Sequence, residues 1–192
     1  MSTSDRLSAR RLRVRPLVLF AFVLVAALAR VVPHPPNFTP VGALALFAGA
    51  TFVSRLRALI LPLAAMLISD GVLWALHGWE LGAMTLVIYS SIAAISGLGR
   101  RMNAGRSVTA LLGTSFLAAL AFFLITNFAV WLGSGNYPLT GAGLVACFVA
   151  ALPFFGNTLA AQLFFGALLF GGFELLQRRF AVLRVAPAGE LQ

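Results

Sequence analysis

Long apolar stretches separated by short polar connections dominate this chain. Six apolar segments stand out, at about residues 16–32, 40–54, 58–76, 81–98, 108–132 and 152–176. A helix needs about 20 apolar residues to cross the roughly 30 Å hydrocarbon core of a bilayer. The second segment is short and spans only if Ser54, Arg55 and Arg57 reach the interface. The pattern predicts an all-α membrane protein with six transmembrane helices.

Prolines define the connection between the first two segments. Three of them, between residues 33 and 36, exclude a helix there because each fixes φ and removes a backbone donor. Thr39 is the expected N-cap of the next helix, with Pro40 in its first turn. Further along, we expect a short surface helix at about residues 141–151, which Pro153 separates from the sixth segment.

Composition supports the same class of protein. The chain has 192 residues, of which 60% are hydrophobic and 10% charged, with a net charge of +9. So little charge against so much apolar surface excludes a soluble domain of this size. The 14 basic residues are all Arg and sit in short clusters, not in a continuous stripe, so we interpret them as topology signals and expect no nucleic-acid binding.

The arginines also predict the topology. Thirteen of the 14 lie in the N-terminus, the second and fourth connections and the C-terminus, and only Arg30 lies in another connection. By the positive-inside rule, both termini are then cytoplasmic in a multi-pass protein of the inner (plasma) membrane. We expect a basic tail at 1–15, a six-helix transmembrane domain at 16–178 whose first helix is retained, not cleaved as a signal peptide, and a C-terminal tail at 179–192.

Polar and aromatic side chains concentrate in the outer half of this predicted bundle. Asp70, Asn127 and Asn157 come from three different segments at similar depth, about 9 Å for Asp70 at 1.5 Å per residue. Polar groups in lipid face a cavity or one another. An outward-open pocket would explain the distribution. The candidate substrate-binding residues are His34, Asn37, Thr39, Asp70, Trp74, His77, Asn127, Trp131, Tyr137 and Asn157.

Structural interpretations of the same residues stay open. Asp70 must be paired, protonated or hydrated at that depth, and the asparagines can simply bond neighbouring helices. Tryptophans at a membrane interface commonly form an aromatic belt, and Cys147 is typical of a small buried residue. Near the inner end, Glu174 is spaced to pair with an arginine four residues later.

Enzymatic and cofactor chemistry find little support in the sequence. Hydrolase, metalloprotease and nucleotide-binding motifs such as H-E-x-x-H, G-x-S-x-G and the P-loop are missing. A single cysteine excludes an intramolecular disulfide and a cysteine-cluster metal site. We therefore expect no catalytic residues, no metal and no cofactor.

Four stretches resemble an uncharacterised bacterial membrane family. They are PHPPNFTPVGALALFAGATF, LPLAAMLISDGVLWALHG, TNFAVWLGSGNYPLTGAGLVACFVAALPFFGNTL and LFGGFE. That family is in turn similar to the substrate-binding S components of energy-coupling factor (ECF) transporters. The resemblance implies a six-helix protein that captures a vitamin-like micronutrient near the outer face for import. It also implies a transmembrane coupling subunit, driven by ATPases, as partner.

S components carry an alanine-x-x-x-alanine pattern on the first helix for contact with the coupling subunit. The nearest match here is Ala21, Val25 and Ala29, which departs at the middle position. A second face without bulky side chains, formed by Gly42, Ala45 and Gly49, permits close helix packing and is an alternative contact surface.

Two other functions compete with substrate capture. In a structural or scaffolding membrane protein, the polar groups would only join helices, and no cavity would lie beneath the proline-rich loop. A stand-alone channel or carrier would need polar side chains through the inner half as well, where the sequence supplies few.

Overall fold

The computed structural model describes residues 3–78, 82–102 and 107–184, and their side chains from residue 14 onward with the exception of His77. All regular secondary structure within these ranges is helical. The helices are α1 (Thr3–Ala29), α2 (Val41–Thr51), α3 (Arg55–His77), α4 (Ala83–Arg100), α5 (Val108–Gly133) and α6 (Gly141–Gly166). A π-helical turn (Ala167–Gly171), α7 (Gly172–Arg179) and a 3₁₀ turn (Ala181–Leu183) follow.

Hydroxyl side chains begin three of these helices. Ser54, Ser107 and Thr140 each accept a hydrogen bond from the backbone N–H three residues later, at the starts of α3, α5 and α6. Each cap satisfies one of the N–H groups that have no acceptor within the helix. The expected cap at Thr39 is wrong, because Pro40 is the N-cap of α2 and no side chain caps that end.

The short helix α2 lies at the centre of the bundle. Nine of its 11 residues are buried, and it contacts α1, α3, α4, α5, α6 and the π-helical turn. At 1.5 Å per residue it is about 16 Å long, roughly half the thickness of a hydrocarbon core. Because α2 is surrounded by protein, its uniformly apolar sequence fills the core of the fold and does not face lipid.

Reciprocal glycines bring α2 and α4 into backbone contact. A Cβ at Gly49 would collide with the carbonyl oxygen of Ser96, and a Cβ at Gly99 would collide with that of Leu46. The Ser96 hydroxyl, buried in the same region, donates to the Ala58 carbonyl oxygen at 2.7 Å and so joins α4 to α3. Small residues at membrane-helix contacts allow this close approach.

Phenylalanine rings pack around the central helix α2. Phe47 is fully buried and contacts the rings of Phe22, Phe170 and Phe173, with centroids 5.8, 5.2 and 5.7 Å away. The π-helical turn contains Phe170 and directly precedes α7, which contains Phe173. The widened turn is therefore the place where the last helix meets the central one.

Two arginines cap the C-terminal end of α2. Arg15 donates to the Thr51 carbonyl oxygen and Arg100 to that of Phe52, each at 3.3 Å. Cations at a helix C-terminus offset the negative end of the helix dipole. At the base of the bundle, Glu174 and Arg178 form the expected exposed pair at 3.2 Å.

The expected break before the sixth segment is wrong. The helix that begins at Gly141 continues through Pro153 and, by way of the π-helical turn, reaches Arg179 over 39 residues. Proline removes one backbone hydrogen bond, but an apolar environment offers the neighbouring backbone groups no better partner than the helix itself.

The described residues contain four helices long and apolar enough to cross a membrane. They are α3, α4, α5 and the continuous α6–α7 stretch, whereas the apolar part of α1 (Val14–Ala29) and α2 are shorter. The protein is therefore a multi-pass membrane protein by the length and composition of its helices. The basic N-terminal segment is helical from Thr3 and continuous with α1.

The α2–α4 contact predicts a sharp difference between two neighbouring glycines of α4. Gly99→Ala places a methyl group against the Leu46 backbone, which cannot rotate away, so we expect a loss of about 2 kcal/mol in stability. Gly97→Ala is the control, because nothing lies within 4 Å of its Cβ position. Thermal unfolding in detergent measures both, and equal melting temperatures would contradict the close contact.

Candidate functional site

A buried ion pair joins α1, α3 and α4. Asp70 on α3 is 3% exposed and pairs with Arg30, which follows α1 directly. Tyr89 on α4 donates to the other carboxylate oxygen at 2.6 Å, and Arg30 also donates to the Ser69 hydroxyl at 2.7 Å. Of the states expected for Asp70, the structure therefore shows the paired one. Each oxygen of its carboxylate contacts another residue of the protein.

The loop between α1 and α2 is held against α6. Asn157 donates from Nδ2 to the Pro36 carbonyl oxygen at 2.9 Å, and the Phe38 ring packs on Phe164 and Phe165 with centroids 6.1 and 5.6 Å away. Asn37 between these contacts has φ of +62°, a left-handed conformation that asparagine tolerates better than most residues. The loop therefore has a defined position above the start of α2.

A third polar group lies where α5 meets α6. Asn127 donates to the Phe123 carbonyl oxygen of its own helix at 2.8 Å, and the Cys147 thiol contacts the Asn127 carbonyl oxygen at 3.5 Å. Trp131 donates from its indole N–H to the Pro138 carbonyl oxygen at 2.9 Å. These bonds fix the connection between the two helices. Tyr137, in the same connection, is half-buried.

Of the remaining candidates, those whose side chains the structure describes are exposed or half-buried. His34 is exposed, with its ring nitrogens 3.0 Å from the Pro35 carbonyl oxygen and 3.2 Å from that of Arg30. Trp74 is 62% exposed on α3, and Thr39 is half-buried. The side chain of His77 lies outside the described residues, as does Trp79. The candidate residues thus form hydrogen bonds in separate parts of the protein. That they line one common pocket stays a prediction.

The small-residue face of α2 is covered within the protein. Ala45 and Gly49 are buried, and Gly49 lies against α4 of the same chain. A partner helix would reach this face only after α4 moved away. On α1, in contrast, Ala21 is exposed and Ala29 half-buried, in a helix whose outward side also exposes Leu17, Phe20, Leu24, Val25 and Leu28.

Gln162 on α6 is a polar residue that sequence analysis did not single out. It is 3% exposed, and its Nε2 finds no acceptor among the residues that the structure describes. A Cβ at Gly42 would lie 2.5 Å from Gln162 Oε1, so the amide rests against the first turn of α2. The signal available in the sequence was an amide deep in an apolar helix opposite a glycine.

Arg30, Ser69 and Tyr89 were also missed as partners of Asp70. Arg30 is the one arginine outside the inner clusters, and Asp70 is the one acidic residue between Asp5 and Glu80. Two isolated opposite charges near the same membrane surface favour a pair, since each is costly alone in lipid.

An apolar groove lies between α1 and α3, with a volume of about 60 Å³. It is lined by α1 from Phe20 to Leu28, by Val31, and by α3 from Leu61 to Val72. Ser69 is its one polar lining residue, and the ion pair lies behind it. This groove differs in place and chemistry from the polar pocket that the sequence predicts beneath the proline-rich loop.

The fold and its buried polar contacts define a multi-pass helical membrane protein. Residues 10–185 match the family DUF6580, described as a family of unknown function, and the chain belongs to that family. Neither the curated proteins nor the solved structures include a match to the chain.

The buried ion pair predicts a large stability effect at Asp70. Asp70→Asn leaves the Arg30 guanidinium without an anion, so we expect a loss of about 3 kcal/mol, because removing one partner strands a buried charge. Tyr89→Phe removes one hydrogen bond and should cost about 2 kcal/mol. Thermal unfolding in detergent gives both values.

Glu174→Gln is the matched control, since it breaks an ion pair that is exposed. Its effect should stay within about 0.5 kcal/mol. If Asp70→Asn were as mild as Glu174→Gln, the ion pair would not be what holds α1, α3 and α4 together.

Proposed function

We propose that this protein captures a small molecule at the outer side of the membrane for import, in the manner of the S components of ECF transporters. In this proposal the protein has six crossings, both termini lie in the cytoplasm, and the membrane is the cell inner (plasma) membrane. The substrate is a vitamin-like micronutrient. The protein is not an enzyme and needs no cofactor.

One observation carries the proposal: a positioned loop lies over the start of a buried half-length helix. Asn157 and the Phe38 ring contacts hold the loop on α6, and its prolines restrict the backbone. Half-helix ends inside membrane proteins commonly face substrates, because their unpaired backbone groups need partners. A stiff loop loses little entropy when it closes on a ligand.

The exposed side of α1 is the best-placed surface for a coupling subunit with its ATPases. Its outward residues Leu17, Ala21, Val25 and Leu28 follow helical spacing, and the ion pair through Arg30 ties the end of α1 to α3. In this proposal the partner subunit contacts α1, and the Gly42–Gly49 face packs within the core of the bundle.

A structural or scaffolding role is the second candidate, favoured by a specific observation. Asp70, Asn127, Trp131 and Asn157 all bond groups of the protein itself. In that case the polar residues serve helix packing alone, and no small molecule accompanies the purified protein.

Native mass spectrometry of the protein purified from its membrane distinguishes the two functions. We expect a co-purified small mass that is lost in Asn157→Leu, because this change frees the Pro36 carbonyl and the loop. Thr158→Val is the control, since among the described residues Thr158 bonds only the Phe154 carbonyl oxygen of its own helix. A wild-type protein without a small mass, or a mass retained by Asn157→Leu, would contradict the proposal.

The orientation is tested with a reporter fused after Gln192. We expect activity from a reporter that functions only in the cytoplasm, because the proposed topology, based on the arginine clusters, has the C-terminus inside. The same reporter inserted in the loop at Asn136, an exposed residue between α5 and α6, should be inactive. The opposite result at either position would overturn the topology.

A further inference from the structure

Guanidinium groups from three helices meet at the connection between α2 and α3. The two carbonyl oxygens that α1 and α4 reach there, those of Thr51 and Phe52, are adjacent in the chain. Two further arginines lie in the first turn of α3, directly after this connection, and both are exposed. Guanidinium groups keep their charge at any pH relevant to a folded protein, so the connection concentrates positive charge. The four residues are Arg15, Arg55, Arg57 and Arg100.

The acidic side chains that the structure describes do not balance these charges. They are Asp70 and Glu174, and their carboxylates bind Arg30 and Arg178. The carbonyl groups at the end of α2 supply only the partial negative charge of a helix C-terminus. Within the described part of the chain, the connection therefore keeps an excess of positive charge.

Three of the arginines keep donors for a ligand. The side chains of Arg55 and Arg57 bond no other residue that the structure describes. Arg100 is held in place by the bond from its Nη1 to Phe52, and its Nε and Nη2 have no acceptor in the described residues. Arg55 and Arg57 also lie at the electropositive end of α3, which disfavours cations. An anion bound there would offset a repulsion within the fold.

The place of these arginines favours a lipid as the source of the anion. The apolar spans of α3 and α4 begin at Arg55 and end at Arg100, so this end of both helices lies where hydrocarbon gives way to headgroups. Along α3, Leu56, Ile60 and Leu67 are 65%, 48% and 57% exposed and lie on one face. This apolar stripe starts between the two arginines of α3 and offers a surface to acyl chains.

We propose that Arg55, Arg57 and Arg100 bind the phosphate of an anionic phospholipid whose acyl chains lie along the exposed stripe of α3. Arginine binds phosphate through charge-assisted and commonly bidentate hydrogen bonds. A basic residue at the membrane surface strengthens binding to anionic lipid about fivefold. The site is independent of substrate capture, because it lies at the opposite end of α2 from the proline-rich loop.

Two phospholipids with identical acyl chains test the charge requirement. Phosphatidylglycerol is anionic, whereas phosphatidylcholine is zwitterionic. Each is titrated onto the full-length protein in a neutral detergent, and native mass spectrometry measures the bound fraction. We expect phosphatidylglycerol to bind more tightly by a factor of about ten or more, because three arginines face its charge. Equal affinities would overturn the lipid site and leave an acidic protein surface as the occupant.

A pair of double variants locates the binding. Arg55→Gln with Arg57→Gln removes two charges from the site, so the affinity for phosphatidylglycerol should fall about twentyfold. Arg178→Gln with Arg179→Gln is the matched control, since it removes the same charge from α7. The control should keep the wild-type affinity within about twofold, because salt screens distant charges. Equal losses in both double variants would mean that the lipid responds to net charge alone, and would refute the site.

Thermal unfolding separates loss of the site from loss of folding. Replacing Arg55 and Arg57 removes cations from a helix N-terminus, so the melting temperature in lipid-free detergent should equal or exceed that of the wild type. Phosphatidylglycerol should raise the melting temperature of the wild type and of the control, but not of the Arg55→Gln, Arg57→Gln variant. Destabilisation of that variant without lipid would mean that the arginines are satisfied within the fold, against the proposal.

Inorganic phosphate distinguishes a headgroup from a soluble anion. It shares the charge of the headgroup and lacks the acyl chains. Added at the same concentration as phosphatidylglycerol, it should leave the lipid bound, because the apolar stripe contributes to binding. Displacement of the lipid at that concentration would assign the arginines to a soluble phosphate compound and overturn the inference.

Discussion

The close approach of α2 and α4 is the constraint on which the rest of the bundle depends. Gly49 and Gly99 let the two backbones touch, and α2 then occupies the centre of a bundle instead of its perimeter. Once α2 is central, the other helices pack around its apolar surface, and its two ends become interior points of the protein.

The two ends of α2 are treated in opposite ways. At the C-terminal end, guanidinium groups from α1 and α4 bind the carbonyl oxygens of Thr51 and Phe52. At the N-terminal end, a loop without a capping side chain leads into the helix. The NH₂ group of Gln162 finds no acceptor among the described residues. Buried polar groups are normally satisfied, so the two ends differ in how far the described residues satisfy them.

Much of the fold follows from the sequence, because hydrophobic length and arginine position report directly on a membrane environment. The segments at 58–76, 81–98 and 108–132 agree with α3, α4 and α5 within a few residues. The helix break predicted at Pro153 is wrong, because proline ends a helix less readily in an apolar environment than in water. Local rules also predicted the N-cap at Thr39, whereas Pro40 occupies that position and no side chain caps the helix.

The candidate site was less accessible to sequence reasoning. Depth in the membrane indicated which residues are near the outer face, yet it did not indicate which partners they bond. Asp70 and Arg30 are 40 positions apart, and only packing brings them together. A glycine face was recognised correctly as a place for close contact, but whether the second helix comes from the same chain or from a partner is decided by the tertiary fold.

The unequal lengths of the perimeter helices have a consequence for the surrounding lipid. The apolar part of α1 covers 16 residues, about 24 Å, whereas α6–α7 continues for 39 residues, about 58 Å. Even its exposed apolar band from Val145 to Leu168 is about 35 Å long. A bilayer that matches one side is therefore mismatched at the other, unless the longer helix tilts. Without such a tilt, the bilayer thins beside α1 or thickens beside α6, so one protein imposes two thicknesses on the lipid around it.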